Sequence, residues 1–221
     1  MKDIKARRAD SFLAELISRG EHVQQDFKFQ ISDARKIAHS ISAFANCSGG
    51  RLLIGVKDNG AIAGVRNEED IYVIEQAATL YCRPAIEVDF SAVRTAEGQI
   101  VIIASVPRSQ VRPVMAQESD LRWRAYYRVA DENICAHPLM VRTWRHMASS
   151  RRVSFHIDGP EAGILRRMND RGDIPVSEAL LAAGTSRLAA EWAVVRLAAL
   201  GLVDFVHTAS GWNLTLSSPE S

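Results

Sequence analysis

The chain has 221 residues, 47% hydrophobic and 24% charged, which is enough apolar material for a packed core without disulfides or metals. Its formal net charge is only +1, which excludes a protein that coats nucleic acid by bulk positive charge; any phosphate contact has to come from a local patch. No apolar run reaches the ~18 residues that span a bilayer. The charged start lacks the apolar segment of a secretory signal, so no membrane partner and a cytoplasmic location are the expectations. Cys47, Cys82 and Cys135 are far apart and form no CxxC pair, which reads as reduced thiols.

In chain order, Asp10-Ser11 caps a short amphipathic helix carrying Phe12, Leu13, Leu16 and Ile17, which ends at Gly20. Residues 22–29 alternate, with Val23, Phe27 and Phe29 on one parity, and predict a strand with one apolar face. Ser32-Asp33 caps a second helix, in which Ile37, Ile41, Phe44 and Ala45 fall at helical spacing until Gly49-Gly50 stops it. Residues 51–56 read as a buried strand, Asn59-Gly60 as a hairpin turn and residues 62–65 as the returning strand. A helix over 68–81, strands over 86–93, 100–106 and 122–129, and a closing helix over 138–147 follow. This order predicts an α/β (α+β) domain over residues 1–148, a mixed sheet with helices packed on it.

Residues 149–159 form the expected linker, and the pattern then changes. Residues 160–221 predict a helix over 161–168, a short extended piece at Ile174-Pro175-Val176, a helix over 177–183 and a third helix from the Thr185-Ser186 cap to Leu200. A hairpin around Thr208-Ala209-Ser210-Gly211 closes the chain. That is the order of a winged helix-turn-helix. Residues 1–150 carry 20 Lys and Arg against 18 Asp and Glu, and residues 151–221 carry 7 against 8, so neither part is basic as a whole.

One stretch is distinctive: Ile41-Ser42-Ala43-Phe44-Ala45-Asn46-Cys47-Ser48-Gly49-Gly50, continuing Arg51-Leu52-Leu53-Ile54-Gly55-Val56-Lys57-Asp58-Asn59-Gly60. Together with Gly20-Glu21 before Asp26-Phe27-Lys28, and Tyr127-Arg128-Val129 downstream, it resembles the Schlafen AlbA family over roughly residues 10–145. Physically, Phe44 and Ala45 are placed to pack a helix on a sheet, the two glycines permit a reversal into a buried strand, and Asn46 is placed to bond free backbone groups near the helix end. The resemblance implies a nucleic-acid-associated α/β module. Members that cleave RNA carry two glutamates five residues apart and an aspartate after the strand that ends here in Ile54-Gly55-Val56. The matching positions here are Glu21, Asp26 and Asp58, with Asp in place of the second Glu.

Three functional readings stand on these residues. The first is a nucleic-acid-binding protein, a DNA-binding transcriptional regulator with DNA preferred over RNA, needing no cofactor. Lys28, Arg35 and Lys36 near the front of the domain, and Arg122, Arg124 and Arg128 on one parity of a strand, would contact phosphates, while Arg187 at the start of the third C-terminal helix would enter a groove. The second is a metal-dependent nuclease in which Glu21, Asp26 and Asp58 hold Mg²⁺ or Mn²⁺ and activate water. The third is a protein-interaction module, with a homo-oligomer expected. No HExxH, GxxxxGK[ST] or GxSxG motif is present, so zinc-protease, Walker-type ATP and α/β-hydrolase chemistry have no sequence support.

Overall fold

Two sheets pack on a single helix in the first part of the chain. In chain order the elements are β1 (Arg7–Arg8), α1 (Asp10–Ser18), β2 (Gln25–Lys28), α2 (Ala34–Asn46), β3 (Gly50–Ile54), α3 (Glu69–Leu80), β4 (Cys82–Arg83), β5 (Asp89–Arg94), β6 (Ile100–Val106), β7 (Met115–Gln117), β8 (Trp123–Val129) and β9 (Glu132–Cys135). They form a five-stranded mixed sheet in the order β1-β5-β6-β3-β2 and a four-stranded antiparallel sheet in the order β4-β7-β8-β9. The computed structural model describes residues 7–8, 10–65, 69–149 and 159–217. The chain divides into two units, Met1–Cys135 and Ala136–Ser221. The fold class is α+β, as the sequence predicts.

The side-chain alternation of β3 and β6 explains why both read as continuous apolar runs. Leu52 and Ile54 of β3, with Ile102, Ala104 and Val106 of β6, pack against Ile37, Ile41 and Phe44 of α2 and Ile74 of α3. Leu53, Val101 and Ile103 point to the other face, where Leu13 and Leu16 of α1 cover them. Both faces of this sheet are therefore buried, and no polar parity is left to read.

Helix α2 starts where Asp33 accepts the Arg35 N–H at 2.9 Å. Nine of its 13 residues are buried, so it meets packed neighbours on more than one side. Three of the nine, Ser40, Ser42 and Asn46, carry polar side chains that must be satisfied inside. Asn46 Nδ2 donates to the carbonyls of Val114 and Tyr126, each at 2.9 Å, and Oδ1 accepts the Val114 N–H at 2.8 Å. Ser42 Oγ donates to the Val114 carbonyl at 2.8 Å and accepts the Tyr126 N–H at 3.0 Å. Regular pairing of β7 with β8 ends at Met115 opposite Ala125. Val114 and Tyr126 are the next residues along, and side chains of α2 replace the ladder there.

The turn out of α2 has little steric freedom. A Cβ on Gly50 would lie 2.3 Å from the Phe44 ring, and one on Gly49 (φ +75°) would lie 2.9 Å from the Val106 carbonyl oxygen. The glycine pair in the motif is there because a helix side chain and a neighbouring backbone occupy the space.

Several expectations change. The strand expected over 22–29 is confined to Gln25–Lys28, where Gln25, Asp26 and Phe27 are buried in succession, while Val23 and Phe29 are 47% and 40% exposed. Cover on both faces, not one apolar parity, defines β2. Residues 62–65 make a single bridge, Val56 with Ile62, instead of a strand. Strands β1, β4, β7 and β9 are short and carry no clear period. Residues 150–158 of the expected linker lie outside the described residues.

The second unit comprises α4 (Pro138–Ala148), α5 (Pro160–Arg171), β10 (Ile174–Pro175), α6 (Val176–Ala182), α7 (Arg187–Ala199), β11 (Val203–Thr208) and β12 (Gly211–Leu216), with a sheet ordered β10-β12-β11. Helix α4, expected to close the first domain, packs instead on α7 within this unit. Arg142 of α4 bonds Glu191 of α7 at 2.9 Å and lies over the Trp192 ring. Inside, the buried Glu161 carboxylate is paired with Arg196. Among the described residues no helix is long and apolar enough to cross a membrane.

Removing the Asn46 amide strands Val114 N–H and the Tyr126 carbonyl, each about 1–3 kcal/mol when buried and unpaired. Asn46→Ala is therefore expected to lower unfolding free energy by about 2–4 kcal/mol in a urea titration. A loss below ~0.5 kcal/mol would show that the helix does not hold the strand junction.

Candidate nucleic-acid interface

The motif residues converge at the edge of the five-stranded sheet. Arg128, only 3% exposed, reaches from β8 to β2 and places Nη2 at 3.3 Å from both the Gln25 carbonyl and Asp26 Oδ1. Its Nη1 donates to Asn133 Oδ1 at 2.9 Å, and its guanidinium lies over the Phe44 ring. Because β2 is an edge strand, its Gln25 carbonyl takes a side-chain donor here. Asp26 Oδ2 sits 2.7 Å from Lys28 Nζ and accepts from Ser40 Oγ at 3.4 Å.

Glu21 meets the same group. Its Oε1 accepts the Phe27 N–H at 2.8 Å, and its carboxyl hydrogen-bonds Asp26. Burial pushes the Glu21 carboxyl above its ordinary value, and the bond to Asp26 pushes the same way. Burial also acts to raise Asp26, but the hydrogen bond from Glu21 and the charges of Lys28 and Arg128 outweigh it and hold Asp26 below the usual range. The pair is thus divided, with Glu21 favouring the proton and Asp26 the charge.

The carboxylates expected to hold a metal do not assemble. Asp58 is exposed on the turn before Asn59-Gly60, and among the described residues no group of three His, Cys, Asp or Glu side chains is placed to hold an ion. Asp26, the position where Asp replaces the family's Glu, spends its charge on Arg128 and Lys28.

The expected basic contacts divide into exposed and engaged residues. Lys36 and Arg124 are exposed. Arg122 is exposed just before β8 and lies 3.4 Å from Asp120. Arg35 lies over the Tyr81 ring, 4.8 Å from its centroid. Lys28 is half-buried on Asp26. Arg128 is a correction: the parity it shares with Arg124 predicts one solvated basic face, yet α2 covers the far half of that face, so the strand is exposed at Arg124 and buried at Arg128. In the second unit, Arg187 is exposed and bonds Glu191 at 3.0 Å.

A group that the sequence does not single out lies at the C-terminal end of α2. Three segments are tied together there. Gln24 Nε2 donates to the Ser48 carbonyl at 3.2 Å, the Arg51 N–H to the Gln24 carbonyl at 2.9 Å, and the Ser109 N–H to the Ala45 carbonyl at 2.9 Å. Arg112 Nη1 donates to the Asn46 carbonyl at 3.1 Å, capping the helix end. These ties bring Arg108 and Arg112 beside Cys47, and Arg51 beside His22. Burial lowers the His22 pKa, and Arg51, Arg19 and Arg128 lower it further. Burial raises the Cys47 thiol, while the Arg128 N–H and the charges of Arg112, Arg128 and Arg108 pull it down. Arg112 is itself lowered, by burial and then by Arg108. Mutually repelling cations held at a helix end by backbone bonds suit an anion. These residues come from positions 22, 51 and 108–112, and no local spacing announces them.

A double-layered α+β domain with a divided carboxyl pair and a cationic group at one helix end is the class this unit defines. The family model described as Schlafen, AlbA_2 matches residues 21–136, just over half of the chain, and the chain belongs to that family. No curated protein matches it in sequence. Among solved structures, it is similar to the DIP2311 protein from Corynebacterium diphtheriae (21% identity, TM-score 0.43), with 88% of this chain covered and 34% of that one. It is also similar to the N-terminal domain of a putative ATP-dependent DNA helicase RecG-related protein from Nitrosomonas europaea (22% identity, TM-score 0.38), with 58% of this chain and 92% of that one covered. The chain thus spans about a third of the length of the first of these.

The carboxyl pair sets a pH dependence. Asp26 ionises more readily folded than unfolded, so its stabilisation is present above its ordinary value of 3.8 and is lost as pH falls through the lower folded value. Glu21 has the opposite sign: its contribution is complete below 4.5 and is lost as pH rises through its raised value. Asp26→Asn is expected to flatten the acid fall of the urea midpoint and to cost about 3–5 kcal/mol at pH 7, because Arg128 loses its buried partner. An unchanged acid limb would show that Asp26 is not the group responsible.

Proposed function

We propose that this chain is a nucleic-acid-binding protein that holds the phosphate backbone with Arg51, Arg108 and Arg112 at the end of α2. The observation that carries this reading is the pairing of Arg108 and Arg112 at the end of α2, where Arg112 bonds the Asn46 carbonyl and the Ser109 N–H ties the segment to the Ala45 carbonyl. Lys36 and Arg124, exposed elsewhere on the unit, extend the positive surface. The resemblance to nucleic-acid-associated Schlafen modules supports the same reading. The finer proposal is a DNA-binding regulator whose second unit is a winged helix-turn-helix. In that account α7 is the recognition helix, β11–β12 the wing, and Arg187 its leading basic side chain.

One observation favours a second role for that unit. The first turn of α7 presents Leu188, 63% exposed, and the carboxylate of Glu191 already binds Arg187 and Arg142. A leucine and a carboxylate at the entry of a recognition helix suit a protein surface better than a phosphate-lined groove.

Fluorescence anisotropy of the full chain against duplex DNA and single-stranded RNA tests these points. Affinity is expected to fall steeply with salt, and Arg51→Gln with Arg108→Gln is expected to weaken binding to all sequences and reduce the salt slope by about 2. A flat salt response, or a double variant that binds like the parent, would overturn the proposal. Unaltered duplex affinity in Arg187→Gln assigns the second unit to protein contact; a loss confined to particular sequences assigns it to DNA. Manganese-dependent shortening of the strands on a denaturing gel, abolished by Asp58→Ala, would instead support the nuclease.

A further inference from the structure

At the other end of β2 from the arginine group, about 13 Å away, lies a cavity of about 390 Å³. This is within the ~300–1,000 Å³ usual for small-ligand sites. Its walls come from the loop between β2 and α2, the segment after Asn59-Gly60 and the start of α3. Phe29 presents an exposed ring, with Lys57 Nζ 5.3 Å above its centroid. Ile31 and Val65 add apolar surface. Asp70 is half-buried and accepts the Ile31 N–H through Oδ1 at 3.3 Å. The backbone at one wall is fixed by close approach: a Cβ on Gly55 would lie 2.8 Å from the carbonyl carbon of Gly64.

These groups are an aromatic plane, an exposed cation, an anionic acceptor and a close-packed apolar rim. Three of them have a counterpart in one nucleotide: the plane a flat base, the cation a phosphate, and the acceptor the N–H donors of an exocyclic amine. We propose that this cavity takes a single unstacked nucleotide, its base stacked on Phe29, its amino edge on Asp70 and its phosphate on Lys57. The proposal rests on the nucleic-acid reading above and deepens it, because such a pocket gives the protein a preference for single-stranded over duplex substrates. A base taking the ring face displaces the Lys57 ammonium toward the phosphate, exchanging a cation–π contact for an ion pair. A carboxylate acceptor favours guanine, which offers N1–H and N2–H side by side, over uracil and thymine, which offer a single N3–H.

The test uses the full chain, with NMR titration of GMP, UMP and inorganic phosphate and anisotropy of a mixed single-stranded oligonucleotide and its duplex. GMP is expected to shift the amides of residues 29–32 and 63–65 and to bind several-fold tighter than UMP, with phosphate alone shifting little. Phe29→Ala is expected to weaken single-strand binding about tenfold and leave the duplex unchanged; Asp70→Asn is expected to remove the GMP preference. Phe29 is exposed, so its variant folds as the parent does, which the unchanged amide spectrum elsewhere verifies. If single strand and duplex bind alike in the parent and in Phe29→Ala, while Arg51→Gln with Arg108→Gln still weakens both, the pocket is overturned and the phosphate surface stands. If GMP binds through Phe29 and Asp70 but neither polymer binds, the pocket is supported as a site for a free nucleotide and the phosphate surface fails. Absence of both GMP and polymer binding overturns both.

Discussion

The first unit depends on a helix buried almost all round that must still satisfy polar groups at its end. Helix α2 fills the space between two sheets, and a helix so placed offers no solvent to the backbone it interrupts. Ser42 and Asn46 answer this by taking the place of one rung in the ladder between β7 and β8, bonding Val114 and Tyr126. The helix, the strand junction and the glycine turn behind them are consequently one construction. Phe44 packs where Gly50 has no side chain, and Gly49 passes against Val106.

The same edge shows how charge is managed at low solvent access. Arg128 crosses from one sheet to the other and is neutralised by Asp26, with Phe44 beneath and Asn133 beside it. Asp26 in turn is held below the usual carboxylate range by its hydrogen bond with Glu21 and by Lys28 as a second cation. A carboxylate so committed is a structural tie between sheets. The two kinds of arginine differ in what the backbone does near them: at Arg128 a carboxylate is within reach, and at Arg112 a helix-end carbonyl is.

The two ends of β2 then take separate roles. One lies by the end of α2, where Arg108 and Arg112 sit together. The other opens a cavity with an aromatic wall. The second unit brings its own logic, with α4 laid on α7 through Arg142, Glu191 and Trp192, so that α7 already has part of its surface engaged.

From its sequence alone, the chain declares the α+β class, the helix from Asp33 to Asn46, the glycine turn, the buried strand after it and the family resemblance. These rest on local physics: caps, helical spacing and residues that tolerate a reversal. Asn46 as a bonder of free backbone groups was legible for the same reason. Tertiary structure alone decided which cations face water. Arg124 and Arg128 share a parity, and only the extent of α2 separates the exposed one from the buried one. It also decided that Asp58 stands apart from Glu21 and Asp26, that α4 belongs with the second unit, and that Arg108 and Arg112 meet at the end of α2. The reason is physical: contacts between segments far apart in sequence are made by packing and backbone ties whose partners leave no periodic trace in either segment.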